Sequence, residues 1–178
     1  KLDTREITYT YYPINLLDTT TDSSGGYSKN YYDRNGNVTK TMSLRDDGEY
    51  DIRKYEYDVM NRVTRDIRLA DMEDIFNASS MAGINDLMDP EYPGMIRLVT
   101  AYEYDILGNL IKEMQPKAFE YAAADAQSRD EYTIRYSYDA LNRLERTTRK
   151  HEGSDVYTEN RYDEVGNRIA AIDEMGRV

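Results

Sequence analysis

An all-β fold, built as an antiparallel meander of short hairpins, is what this sequence predicts. Three observations lead there. One pattern of eight or nine residues recurs as YYDRNGNV at 31–38, YEYDVMNRV at 55–63, YEYDILGNL at 102–110, YSYDALNRL at 136–144 and RYDEVGNRI at 161–169. The residues after a copy alternate polar and apolar, as in Val63-Thr64-Arg65-Asp66-Ile67-Arg68-Leu69, which is the period of a strand. A second set of turn-forming stretches falls between the copies. It reads Asp22-Ser23-Ser24-Gly25-Gly26, Arg45-Asp46-Asp47-Gly48, His151-Glu152-Gly153-Ser154-Asp155 and Asp173-Glu174-Met175-Gly176. Strand, motif turn, strand and second turn give roughly a dozen strands, each of ordinary length.

Each position of the motif has a physical reason. Tyr-x-Tyr places two rings on one face of a strand, because strand side chains alternate. The pairs are Tyr55 and Tyr57, Tyr102 and Tyr104, and Tyr136 and Tyr138, with Tyr32 and Tyr162 in the second slot of the other copies. An Asp follows each time, at Asp33, Asp58, Asp105, Asp139 and Asp163, and its carboxylate can fold back onto nearby backbone N–H groups. Three residues later stands Gly36, Asn61, Gly108, Asn142 or Gly166, the two residue types that most easily adopt positive φ. A degenerate sixth copy is expected at about 8–16, with Pro13 in the Asp slot and one residue missing.

Two intervals between copies are longer and carry insertions, at about 71–95 and 116–130. The first has Met72, Ile75, Phe76, Ile84, Leu87 and Met88 at near-helical spacing. The second has Pro116 at a helix start followed by the Ala-rich KAFEYAAADAQ. Both are expected to be short helices covering a sheet edge or face.

Composition bounds the function. Leu, Ile, Val and Phe make up only about 18 % of the chain, which with a net charge of −11 would suit disorder. Eighteen tyrosines oppose that and imply an ordered chain with a thin, tyrosine-rich core. The acidic balance disfavours nucleic acid and anionic membranes, and no apolar run reaches transmembrane length. No cysteine is present, so disulfides and thiolate metal sites are excluded. The chain opens on Lys1-Leu2-Asp3, without an initiator Met or an apolar leader, and is expected to be a piece of a longer protein.

Reactive motifs are incomplete. His151-Glu152-Gly153-Ser154-Asp155 starts like a zinc-protease helix but lacks the second His. Gly26-Tyr27-Ser28 starts a nucleophile elbow that Asn30 fails to close. Asp33-Arg34-Asn35-Gly36-Asn37 spaces its oxygens like a calcium loop, but Gly36 comes too early and Leu44 stands where a bidentate Glu is needed. Asn77-Ala78-Ser79 fits a glycosylation triplet. Paired carboxylates on neighbouring strands could reach glycosidase distance, yet an Asp repeated in every copy has a structural role rather than a place in one active site. No catalytic residue, metal or cofactor is assigned.

Repeated Tyr-x-Tyr-Asp-x-x-Gly/Asn-Arg/Asn-Leu/Val, with Asp-x-x-Gly turns between copies, resembles the YD or RHS (rearrangement hot spot) repeat. The resemblance covers residues 8–178 apart from the two insertions. The family includes bacterial wall-associated and polymorphic-toxin proteins, shell-forming subunits of insecticidal toxin complexes, and teneurins. It implies a curved β-strip that spirals into a hollow shell, which in toxin members encloses a C-terminal effector. The partners implied are the remaining repeats and the C-terminal region of the same chain, in a secreted or cell-surface bacterial protein. The family's self-cleaving segment has no match, and Asp89-Pro90-Glu91-Tyr92 is only superficially similar to it. Arg168 departs from the pattern where Val38, Val63, Leu110 and Leu144 stand, so either the register slips and turns Ile169 inward or that edge faces solvent. A surface that binds glycan or a protein through the tyrosines is the alternative reading. The first and last strands are open edges through which copies could pair.

Overall fold

A computed structural model describes residues 6–71, 89–120, 126–175 and Arg177. Twelve strands form one antiparallel sheet in chain order: β1 (Ile7–Tyr11), β2 (Leu17–Asp22), β3 (Tyr27–Tyr32), β4 (Val38–Leu44), β5 (Tyr50–Tyr57), β6 (Val63–Asp71), β7 (Met95–Tyr104), β8 (Leu110–Met114), β9 (Thr133–Tyr138), β10 (Leu144–His151), β11 (Ser154–Tyr162) and β12 (Arg168–Ile172). The meander predicted from the repeats is therefore the fold. Among the described residues of the second insertion lie two short helices, α1 (Lys117–Glu120) and α2 (Ala126–Glu131). The helix expected over Met72–Met88 falls outside the described residues. Two compact units divide the chain, Lys1–Val99 and Thr100–Val178.

Every motif hairpin shifts register at the same place. Tyr32 pairs with Val38, Tyr57 with Val63, Tyr104 with Leu110, Tyr138 with Leu144 and Tyr162 with Arg168, and a bulge follows on the return strand. Arg168 thus keeps the common register. Arg168 and Ile169 are both exposed, which is the solvent-facing alternative of the two left open by the sequence.

In the first unit, cross-strand partners place Tyr31, Lys40, Lys54 and Ile67 in one row on one face, with Met42 opposite Ile52 beside them. Ile52, Ile67 and Leu69 are buried there, with Met42, Tyr92, Met95 and Val99 packed against them. In the second unit Ala101, Met114 and Thr133 stand opposite one another, and Ala118 of α1 and Tyr132 close over them. Each buried Ile, Leu or Met side chain contributes about 1.5–3 kcal/mol.

The tyrosine-rich core expected from composition is not what forms. No tyrosine is among the buried hydrophobic residues of the described chain. Alternation puts Tyr55 on the face opposite Lys54 and Ile52, and Tyr102 and Tyr136 on the face opposite Ala101, Met114 and Thr133. The insertion segments bring aliphatic cover to the other face, so the phenols stay half-exposed and use their hydroxyls.

Candidate functional site

The repeated turn is a wired structure, and its wiring starts from one carboxylate. In the β3–β4 hairpin the Asp33 N–H donates to the Asn37 carbonyl at 2.9 Å and the Gly36 N–H to the Asp33 carbonyl at 3.2 Å. This is a three-residue loop whose last residue must be left-handed, and Gly36 has φ 86°. Asn61 and Asn142 fill that slot at φ 60° and 63°, a region Asn tolerates better than most residues.

Asp33 Oδ1 then accepts the N–H groups of Asn35 at 2.8 Å and Asn37 at 2.9 Å, while Oδ2 accepts the Asn37 side-chain amide at 2.9 Å. Asp163 repeats the pattern with Val165 and Asn167. Asp105 takes the Asn109 N–H at 2.8 Å and the Asn109 amide at 2.8 Å. Where Asn replaces Gly, the next residue is Arg and its guanidinium does the amide's work. Arg62 Nε donates to Asp58 Oδ2, and Arg143 Nε to Asp139 Oδ2, both at 2.7 Å. The Asn37 side chain leads in holding Asp33 below its ordinary pKa, and the Arg62 and Arg143 backbone N–H groups lead for Asp58 and Asp139. Each carboxylate is committed to its own turn.

Within each unit, neighbouring hairpins are tied by second tyrosines of the motif. Tyr32 OH donates to the Leu17 carbonyl at 2.8 Å, Tyr57 to Val38 at 2.8 Å, Tyr138 to Leu110 at 2.9 Å and Tyr162 to Leu144 at 2.8 Å. Each acceptor is the first residue of the preceding hairpin's return strand, beside the register shift. The turns also touch. Asn35 and Asn37 donate to Asn61 Oδ1 at 3.0 and 2.8 Å, Asn109 donates to the Asn142 side chain, and Arg143 reaches the Asp163 carbonyl at 3.2 Å.

Two details differ from the sequence reading. The sixth copy is not short. Tyr12, not Pro13, fills the Asp slot, because the Tyr12 N–H donates to the Leu16 carbonyl and the Asn15 N–H to the Tyr12 carbonyl. Pro13 then falls at the second turn position, which suits its fixed φ. The second kind of turn is also partly the same turn. Asp22 Oδ1 accepts from Ser24 and Gly26, and Asp173 Oδ1 from Met175 and Arg177, each at 2.9 Å.

A cluster that the motif search missed lies on the aliphatic face of the first unit. Lys54 Nζ sits 2.9 Å from both oxygens of Asp89 and 2.9 Å from Glu91 Oε2. Lys40 Nζ contacts Glu91 Oε1 at 2.8 Å and Tyr92 OH at 3.1 Å, and stands 4.4 Å from the Tyr31 ring centroid. Bonds from Lys40 and then Lys54 pull the Glu91 carboxyl down to about 2. Burial works against the charge on Lys40, but Glu91 and Tyr92 outweigh it and raise its pKa. Asp89 is 4 % exposed, and its Oδ1 also takes the N–H groups of Glu91 and Tyr92. Residues 89–95 are thereby strapped to the sheet. The only sequence signal was Lys40 and Lys54 alternating onto the face of Met42 and Ile52.

His151 is exposed next to the Glu152-Gly153 turn. Among the described residues no three His, Cys, Asp or Glu side chains are placed to share a metal ion.

Neither the family models nor the curated proteins compared with this sequence match it. Solved structures do. A crystal structure of TcdB2-TccC3 aligns over 99 % of this chain and 10 % of its own, at 15 % identity and a TM-score of 0.48. TcdB2-TccC3 without its hypervariable C-terminal region aligns over 100 % of this chain and 10 % of its own, at 14 % identity and 0.46. A Photorhabdus luminescens Tc holotoxin pore aligns over 95 % of this chain and 10 % of its own, at 17 % identity and 0.41. At such scores no residue's role passes from those chains to this one. The chain is similar over nearly its whole length to about a tenth of these toxin-complex chains, and it is an antiparallel sheet of repeated Asp-turn hairpins.

Proposed function

We propose that this chain is a non-enzymatic wall segment of an RHS-type β-shell, whose work is to enclose another region of a large exported bacterial protein. The observation that supports this is the coupling between repeats. The carbonyls of Leu17, Val38, Leu110 and Leu144 are each satisfied by a tyrosine of the next hairpin, and most described turns bond to a neighbour. A strip wired in this way extends by adding hairpins, as repeat architectures do. The repeated carboxylates serve the turns, which suits structure over turnover.

The test uses the longer protein that this reading requires. Digesting it with protease and mapping the resistant pieces should show its C-terminal region protected. Asp58→Ala with Asp139→Ala, which unwires one turn in each unit, should expose that region. A C-terminal region cleaved equally fast in both proteins would oppose enclosure.

A second reading has one observation in its favour. The half-exposed rings of Tyr102 and Tyr136 lie on the face opposite the aliphatic cluster, where they could stack on a glycan. Glycan-array binding that Tyr102→Ala abolishes, with the fold intact, would support it.

A further inference from the structure

Within each unit, adjacent hairpins meet in one register. The residue two places after the start of a return strand stands opposite the residue three places before the next hairpin's second tyrosine. The pairs are Thr19 with Lys29, Lys40 with Lys54, Lys112 with Arg135 and Arg146 with Glu159. At the same joints that tyrosine's hydroxyl donates to the carbonyl of the return strand's first residue. The two outer strands carry unused halves of this joint. Tyr11 fills the second-tyrosine slot of the first hairpin, opposite Leu17, and is 57 % exposed. Arg168 opens the last return strand, and among the described residues no tyrosine hydroxyl reaches its carbonyl.

We propose that copies of the chain join head to tail, β12 of one copy pairing antiparallel with β1 of the next. The Tyr11 hydroxyl of the second copy then donates to the Arg168 carbonyl of the first. Two independent features select β12 of another copy as the occupant of β1. The first is the joint itself. Its missing half is a return strand that opens on a carbonyl no tyrosine has taken, and β12 is such a strand. The second is the match of side chains. The common register sets Ala170 opposite Thr8, hence Ile169 opposite Tyr9 and Ala171 opposite Ile7. Ile169 is 65 % exposed, Tyr9 52 % and Ile7 46 %, and Ala171 is exposed as well. Apolar residues thus meet apolar ones, with an aromatic ring against a β-branched side chain. A slip of one residue would set Ile169 against Thr8 or Thr10 instead. The contact is heterologous, so each added copy leaves one free edge at either end and growth does not stop at two. It rests on the coupling between hairpins and not on enclosure of another region, so either can fail alone.

Disulfide trapping tests the register directly, since the chain has no cysteine of its own. A Thr8→Cys protein mixed with an Ala170→Cys protein is expected to give a mixed dimer under mild oxidation. Replacing the second protein by an Ala171→Cys protein should slow the link about tenfold, because neighbouring strand residues point to opposite faces. Adding Tyr11→Phe to the Thr8→Cys protein should lower the yield about fivefold, for one lost hydrogen bond. Sedimentation velocity of the unmodified chain should show particles that keep growing with concentration. A chain that stays monomeric at all concentrations overturns the proposal. So does a Thr8→Cys protein that links mainly to itself, or equal linking by the Ala170→Cys and Ala171→Cys proteins.

Discussion

The two units use the same hairpin and close over it differently. In the first, the cover over Ile52, Ile67 and Leu69 is a strap fastened by charge, with Lys40 and Lys54 gripping Asp89 and Glu91. In the second, the cover over Ala101 and Met114 is a short helix fastened by packing, with Ala118 pressed against them. The turns beneath are wired alike in both. The repeat thus fixes the sheet, and the insertions decide how one face becomes dry. That division predicts that each cover can be broken separately while the hairpins of the other unit persist.

The largest effect should come from Lys54→Met. It leaves the Asp89 carboxylate buried without its cation, a loss expected to cost about 3–5 kcal/mol. Hydrogen exchange followed by peptide mass analysis should show β4, β5 and residues 89–95 opening, with β9 and β10 unchanged. Met114→Ala is the counterpart in the second unit and should cost about 2–3 kcal/mol through lost contact and a residual cavity. Its exchange should rise in β8, β9 and α1, and added salt should alter it little.

Acid sharpens the contrast. The Glu91 carboxyl is lowered from 4.5 to about 2 in the folded chain, so its stabilisation is complete above about pH 4.5 and fades as pH falls towards 2. The turn aspartates are lowered from 3.8, in both units, and their contribution fades as pH falls below that value. An acid titration should therefore loosen the strap before the turns, and Glu91→Gln should remove the early step. If both units opened together in the Glu91 protein, the strap would not be an independent fastening.

The smallest expected effects are the most even. Tyr57→Phe and Tyr138→Phe each remove one hydrogen bond to a neighbouring hairpin, at a cost of about 0.5–1.5 kcal/mol in either unit. Urea denaturation measures both. A cost in one unit alone would mean the repeats are not equivalent.

The hairpins were legible in the sequence because their causes are local. Asp33, Gly36 and their counterparts act within a few residues of one another, and the strands between them alternate plainly. The slot of Tyr12 was misread because its side chain lacks the carboxylate that marks the turn, although the backbone bonds are the same. The tyrosine core was misjudged for a different reason. Which face of a sheet is buried depends on what lies over it, and here Asp89 and Glu91 come from an insertion distant in sequence from Ile52, while Ala118 opens the insertion that follows Met114. The Lys40 and Lys54 site was unreadable for the same cause, since its acids are 51 residues from Lys40 to Glu91 and 35 from Lys54 to Asp89.

Negative-stain electron microscopy of the longer protein that the wall proposal requires tests the central claim most directly. Wall function predicts a hollow, closed particle with density inside it and the C-terminal region enclosed. An extended or solid particle, with its C-terminal region outside, would contradict it, and the tyrosine faces would then be the first surfaces to test for a ligand.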